Sequence, residues 1–264
     1  MKKARIDAVL AERGLFPSRS AAAGAVRAGE VRVGRDGPVA LRPSQLVEAE
    51  APLVVEPRPR YVSRGGIKLE NALEALEIDV TGRDCLDVGA STGGFADCLL
   101  QRGAARVVAV DVAYGQLAQR LREDPRVTVV ERRNARSLTP ADLPFAPSLA
   151  AIDVSFISLT KVLPAVAACL APGGQVLAMV KPQFELGKHR VGRGVVRADA
   201  DRREAILRVA EAARELGLAV HGFAPSGLPG PKGNRETFVW CGGEGPEASD
   251  LEAALLAAEE DGEG

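Results

Sequence analysis

From about residue 84 onward, short and almost wholly apolar runs alternate with amphipathic stretches. The apolar runs are 84–88, 106–110, 127–131, 149–154, 175–180, 219–223 and 237–240. They are short and rich in valine, so they predict strands rather than buried helices. The stretches between them carry helical spacing, for example 95–101 and 201–216. Strands that are apolar on both faces and alternate with helices predict an α/β fold with a doubly wound, mostly parallel sheet. A further helix is expected after Ser63-Arg64-Gly65-Gly66, with Ile67, Leu69, Ala72, Leu73 and Leu76 on its apolar side.

The first 57 residues follow a different pattern. Ile6, Val9, Leu10 and Leu15 form an apolar stripe at helical spacing, and Gly14 is a plausible terminator. Ser18-Arg19-Ser20 offers an N-cap for a second helix over 21–28, which stops at Gly29. Val31-Arg32-Val33 and Leu53-Val54-Val55 read as short strands, which makes this a small α+β domain with a marginal core. Pro57-Arg58-Pro59-Arg60 is stiff and short of hydrogen-bond donors, and it marks a linker over 58–63. The second domain then spans 64–264. Its end, 244–264, is an acidic tail expected to form a short helix with frayed last residues.

Charge and composition narrow the partners. Lysine plus arginine total 34 and aspartate plus glutamate 35, so net charge by itself argues for no polyanion. Their distribution is uneven. The first 35 residues hold Lys2, Lys3, Arg5, Arg13, Arg19, Arg27, Arg32 and Arg35 against Asp7, Glu12 and Glu30, and the tail holds no base. Such asymmetry suggests nucleic-acid contact at the basic end, with a solvated helical face as the plain alternative. No apolar run approaches the roughly 20 residues that span a bilayer. The basic N-terminus is not followed by an apolar stretch, so neither membrane association nor secretion is expected. Cys85, Cys98, Cys169 and Cys241 show no ligand spacing and read as buried thiols in a reducing compartment, the cytoplasm. No metal is expected.

The most informative stretch is Leu86-Asp87-Val88-Gly89-Ala90-Ser91-Thr92-Gly93-Gly94-Phe95. A strand runs into a carboxylate, a glycine-rich turn and a helix, and the next strand ends in Asp111. This is the order of a nucleotide-type cofactor site, in which glycines admit the ligand and the second carboxylate takes ribose hydroxyls. The glycine spacing is not that of a dinucleotide site. Asp87 favours an ammonium over a phosphate as its neighbour, so the cofactor read here is S-adenosylmethionine. Gly89, Ser91, Thr92, Gly93 and Gly94 would wrap its amino-acid end. Asn134 and Ala135, after the third strand, are candidates for the adenine edge, or else plain turn residues.

The N-terminal run RIDAVLAERGLFPSRSAAAGAVRAGEVRVGRDG resembles the S-four RNA-binding domain. Further on, YVSRGGIKLENAL, LDVGASTGGF, AIDVSFISL, MVKPQFELGK and KGNRETFVW follow in order. Together they resemble the TlyA family of rRNA cytidine 2'-O-methyltransferases, some members of which bear the older label haemolysin. The likeness runs from Ala4 to about Cys241. It implies a Rossmann-like S-adenosylmethionine-dependent methyltransferase sheet, its last strand antiparallel, behind a small S-four-type domain. It also implies a Lys-Asp-Lys-Glu catalytic set, which falls on Lys68, Asp153, Lys181 and Glu236.

A ribose hydroxyl is a poor nucleophile until its proton leaves, and a neutral lysine can accept that proton. Under the resemblance, Lys181 at the end of the fifth strand is the expected base and Asp153 orients it. Lys68 then tunes its neighbour or steers a phosphate, and Glu236 positions a lysine. Taken singly, each has a duller reading: Lys68 snorkels from a helix, Glu236 pairs with Lys232, Asp153 caps a turn, and Lys181 merely ends a strand. Arg64 could add a phosphate contact. The segment 182–200 carries Lys188, Arg190 and Arg193 and reads as a substrate lid or as a solvated loop. The implied partner is ribosomal RNA or a ribosomal subunit, with the modified nucleotide and the choice of monomer or dimer left open. Competing readings are an assembly factor without turnover, a membrane-damaging protein and a nicotinamide dehydrogenase.

Overall fold

The structure is a computed structural model that describes residues 3–35, 37–55, 59–187, 190–192 and 194–262. The chain divides into two compact units, Met1–Arg60 and Tyr61–Gly264.

In the first unit the order is β1 (Lys3–Arg5), α1 (Ile6–Glu12), α2 (Arg19–Ala28), β2 (Val31–Val33), β3 (Leu46–Glu48) and β4 (Leu53–Val55). The Ser18 side chain accepts from the Ala21 N–H, and Gly29 closes α2 in the left-handed region at φ 76°. Ile6, Val9, Leu10, Val26, Val31 and Val47 form the core. Leu15 is exposed instead, because α1 stops at Glu12 before the stripe reaches it. β2 pairs with β4, and β1 pairs with β3, both antiparallel. β1 and β3 are three residues each, too short for alternation to show, and the sequence did not reveal them.

The second unit continues with α3 (Arg64–Ala75), β5 (Asp84–Val88), α4 (Gly94–Gln101), β6 (Arg106–Val110), α5 (Gln119–Arg122), β7 (Val127–Val130) and β8 (Leu149–Ile152). Then come α6 (Leu163–Ala167), β9 (Gln175–Val180), α7 (Pro182–Glu185), α8 (Asp199–Glu215), β10 (Val220–Pro225), β11 (Thr237–Gly242) and α9 (Leu251–Asp261). Among the described residues seven strands form one sheet, in the order β10-β11-β9-β8-β5-β6-β7. β11 alone runs antiparallel, between β9 and β10. The family resemblance implied that reversal. Leu86, Val108 and Ile152 bury one face of the sheet, while Cys85, Val107 and Leu149 bury the other. Burial on both faces explains the unbroken apolar runs. From β5 the chain winds outward through β6 and β7, then returns to β5's other side as β8. The crevice between the carboxyl ends of β5 and β8 is therefore the switch point where such sheets take ligands.

Several boundaries differ from the sequence reading for physical reasons. The chain enters the second unit at Tyr61, which is buried, and the Val62 N–H donates to Asp97 Oδ2 at 2.8 Å. Residues 61–63 thus pack with this unit, whereas Pro57 and Arg58 lie outside the described residues. α3 starts at Arg64 and absorbs both glycines. A Cβ on Gly66 would stand 2.3 Å from the Tyr61 ring, and one on Gly94 would stand 2.2 Å from Ser63 Oγ. The glycines permit close approach of α3 and α4 rather than ending a turn. Ile67 is exposed, off the buried side of α3. The acidic tail is anchored: Asp250 caps α9, Leu251 and Leu255 enter the core, and Glu259 pairs with Arg202 and Arg203.

Candidate active site

β5, β8 and β9 end side by side, and their ends, with the N-terminal turn of α3 and the segment before β11, enclose a cavity of about 320 Å³. Lys68, Asp153, Lys181 and Glu236 all line it. They form two ion pairs. Lys181 Nζ stands 2.5 Å from Asp153 Oδ1, and Lys68 Nζ meets Glu236 Oε2. The second pair is deeply buried, with Lys68 8% and Glu236 2% exposed. Glu236 therefore holds Lys68 rather than a surface partner. A buried pair of this kind survives only when each charge keeps its counter-ion.

Sequence reasoning missed Ser155. Its Oγ accepts a hydrogen bond from Lys181 Nζ at 2.9 Å. Nothing in its spacing marks it, since it sits in an irregular stretch after β8. The next residue, Phe156, is 90% exposed and takes a left-handed conformation at φ 63°. Its ring lies 5.1 Å from that of Phe184. Glu185 was also missed. It is buried, and it accepts from Ser158 Oγ at 2.5 Å and from the Leu159 N–H at 2.8 Å. Burial pushes its carboxyl up from the usual range, against those two hydrogen bonds.

The glycine turn closes the other side. Gly89, Ser91, Thr92 and Gly94 line the cavity with Asp87, whereas Gly93 begins α4 in the left-handed region at φ 94°. Gly89 sits at φ 86°, and a Cβ there would come within 2.3 Å of the Asp153 carbonyl oxygen. Asp87, two residues before Gly89, is wholly buried. Asp87 Oδ2 accepts from the Ala96 N–H at 2.9 Å and so caps α4, while Oδ1 has no hydrogen-bond partner. Burial pushes the Asp87 carboxyl up to about 8, and the charges of Asp153 and Asp111 add to the effect. An unsatisfied acceptor on a carboxyl beside a cavity suits an ammonium ligand, and Gly89 lines the same cavity with no side chain to fill it. These residues fit S-adenosylmethionine.

Other expected residues stand apart. Asp111 accepts from Ser91 N at 2.7 Å and from Ala113 N at 2.7 Å, so each oxygen already braces a turn. Asn134 caps a 3₁₀ turn by accepting from Arg136 N, and Ala135 leans on the core; neither lines the cavity. Arg64 lines it and donates to the Pro229 carbonyl at 2.8 Å. Arg190 is held by both oxygens of Glu204 and by Asp201, so a phosphate would have to displace a carboxylate. Arg5 and Arg19 both face the buried Asp7, at 2.7 and 3.4 Å. The Arg5 hydrogen bonds hold the Asp7 carboxyl below its ordinary range. Lys3 and Arg27 are exposed. Lys2, Lys188 and Arg193 lie outside the described residues. The described part of 182–200 is anchored. Leu186 and Val196 are buried against Ala205, and Asn234 accepts from Val196 N and donates to the Gly194 carbonyl.

Among the described residues no group of three or more His, Cys, Asp or Glu is placed to hold a metal, and no helix is long and apolar enough to cross a membrane. The four cysteines are buried free thiols.

Residues 61–243 match the FtsJ-like methyltransferase family, and residues 4–51 match the S4 domain. The chain is 50% identical over 242 residues to the 16S/23S rRNA (cytidine-2'-O)-methyltransferase TlyA of Mycobacterium tuberculosis, covering 90% of each chain. It is 37% identical to Hemolysin A of Brachyspira hyodysenteriae, covering 88% of this chain and 97% of that one. A solved structure named as a hemolysin, from Streptococcus thermophilus, superposes with a TM-score of 0.73 at 38% identity. It covers 99% of this chain and 97% of its own.

Proposed function

The chain belongs to the FtsJ-like methyltransferase family with an S4 domain ahead of the catalytic unit, and from that premise we propose that it methylates the ribose 2'-hydroxyl of a cytidine in ribosomal RNA. S-adenosylmethionine is the donor and supplies, when bound, an electrophilic methyl carbon. The observation that carries the reading is the single cavity that gathers two lysine–carboxylate pairs beside a glycine turn.

Asp87 Oδ1 would hold the donor's ammonium, the backbone of 89–92 its amino-acid end, and the spare lone pairs of Asp111 its ribose. Lys181 is the base. In its neutral form the Lys181 amine donates one N–H to Ser155 with the Asp153 carboxylate beside it, and its lone pair is left for the cavity, where it can receive the hydroxyl proton. The buried Lys68–Glu236 pair supplies a fixed positive end near the nucleotide and keeps the wall of the site in place. Phe156 offers an exposed ring, one residue from Ser155, on which an unstacked base can lie. Lys3 and Arg27 are available for phosphate contact by the S4 domain. A cytoplasmic enzyme with ribosomal subunits as its partner follows from this substrate.

The test is methyl transfer from labelled donor to purified ribosomal subunits, with mass-spectrometric mapping of the modified ribose. Wild-type protein should mark a cytidine. Lys181→Ala should keep donor affinity and lose turnover by roughly 10²–10⁴-fold. Donor binding with no methylation of either subunit would replace this reading with a non-catalytic role in assembly.

A further inference from the structure

Each methyl moved to a hydroxyl sets one proton free, and that proton must leave the site before the next turnover. Lys181, whose amine receives it, is only 9% exposed and lines the cavity. Among the described residues two groups touch Nζ: Asp153 Oδ1 at 2.5 Å and Ser155 Oγ at 2.9 Å. The Asp153 oxygen is shut off from solvent. Ser155 is exposed. Of the two contacts, the hydroxyl belongs to the more exposed residue, the Asp153 side chain being 26% exposed.

We propose that Ser155 is a further catalytic residue whose hydroxyl carries the proton taken up by Lys181 out to solvent. The inference rests on Lys181 being the base. The substrate O–H bond breaks and its proton joins the Nζ lone pair, giving an ammonium. That ammonium gives one N–H proton to Ser155 Oγ while Oγ releases its own proton to a water molecule. The amine and the hydroxyl are both restored, and the net product is one solvated proton. Asp153 keeps its charge throughout and holds the ammonium in line between donor and relay.

The neighbourhood supports a fixed relay rather than a wandering side chain. The stretch after β8 is fastened to the stretch after β9 at successive points. Asp153 and Ser155 bind Lys181, Phe156 meets Phe184, and Ser158 and Leu159 bind Glu185. Ser155 is therefore held at hydrogen-bond distance while its outer side stays wet.

The test uses the full chain without ligand and then with substrate. With [15N]lysine labelling, NMR measures how fast the Lys181 Nζ protons exchange with water, the signal being assigned by its loss in Lys181→Arg. Ser155→Ala should slow that exchange roughly tenfold, and Ser155→Thr, which keeps the hydroxyl, should restore it. In multiple-turnover methyl transfer, Ser155→Ala should lose rate and regain it as imidazole is added, while wild type ignores imidazole. Exchange that is unchanged or faster in Ser155→Ala would overturn the relay. So would a rate loss that imidazole does not repair, which would leave Ser155 as a positioning residue only. Near-normal turnover by Lys181→Ala would instead remove the base itself, so the two failures are distinguishable.

Discussion

Lys68 on α3 and Glu236 beside β11 are 168 positions apart in the chain, yet their side chains form a buried ion pair in the wall of the cavity. Removing one partner leaves the other charge buried and alone, which typically costs about 3–5 kcal/mol. Lys68→Ala and Glu236→Ala should each lower the urea midpoint strongly. Lys68→Met combined with Glu236→Leu should recover most of that stability without recovering turnover. Recovery of both would show that the pair is structural only.

Asp87 gives a pH signature. Its carboxyl is pushed up to about 8 in the fold, against an ordinary value near 3.8. Between those values the folded chain keeps a proton that the unfolded chain has lost, so this group's contribution to stability falls as pH rises through that window. Asp87→Asn, whose side-chain oxygen can still accept from Ala96 N, should flatten the profile there and be the more stable form at pH 8. In wild type, an ammonium ligand favours the ionised carboxyl, so donor binding near pH 7 should release a proton. Calorimetry in buffers of different ionisation heat measures that release, and none would place the ammonium elsewhere.

Gly89 couples the glycine turn to Asp153. Gly89→Ala forces a left-handed alanine whose Cβ meets the Asp153 carbonyl oxygen. Stability should drop by about 1–3 kcal/mol, with donor affinity and turnover falling together. Gly115→Ala, also at positive φ but with nothing within 4 Å, is the control that carries backbone strain alone. Equal activity loss in both would refute the coupling.

Glu185 fastens the stretch that bears Asp153 and Ser155 to the one that bears Lys181. Glu185→Ala should cut turnover at least roughly tenfold while leaving donor affinity near normal, because the cofactor turn is untouched. Glu185→Gln, which can still accept from Leu159 N and bond Ser158, should keep most of the activity. A donor affinity that falls in step with turnover would argue for general unfolding instead.

Deleting residues 1–60 should spare donor binding and weaken rRNA binding. The loss should appear as a shallower dependence of affinity on salt, since phosphate contacts release counterions. An unchanged slope between 50 and 200 mM salt, read by filter binding, would refute the role of the first unit.

The strands of the large sheet, the glycine turn and the caps of α2 were legible in the sequence because their signals are local. Valine-rich runs of five or six residues, a serine before a helix and a glycine after it act within one turn of chain. The four candidate catalytic residues could be named only through resemblance, since each alone reads as an ordinary lysine or carboxylate. Tertiary structure decided what no local pattern records. Insertion of β11 between β9 and β10 brings Glu236 to Lys68, and adjacency of β8 and β9 pairs Asp153 with Lys181 and adds Ser155. Those contacts depend on the order of strands in the sheet, a property of the whole chain's packing rather than of any segment.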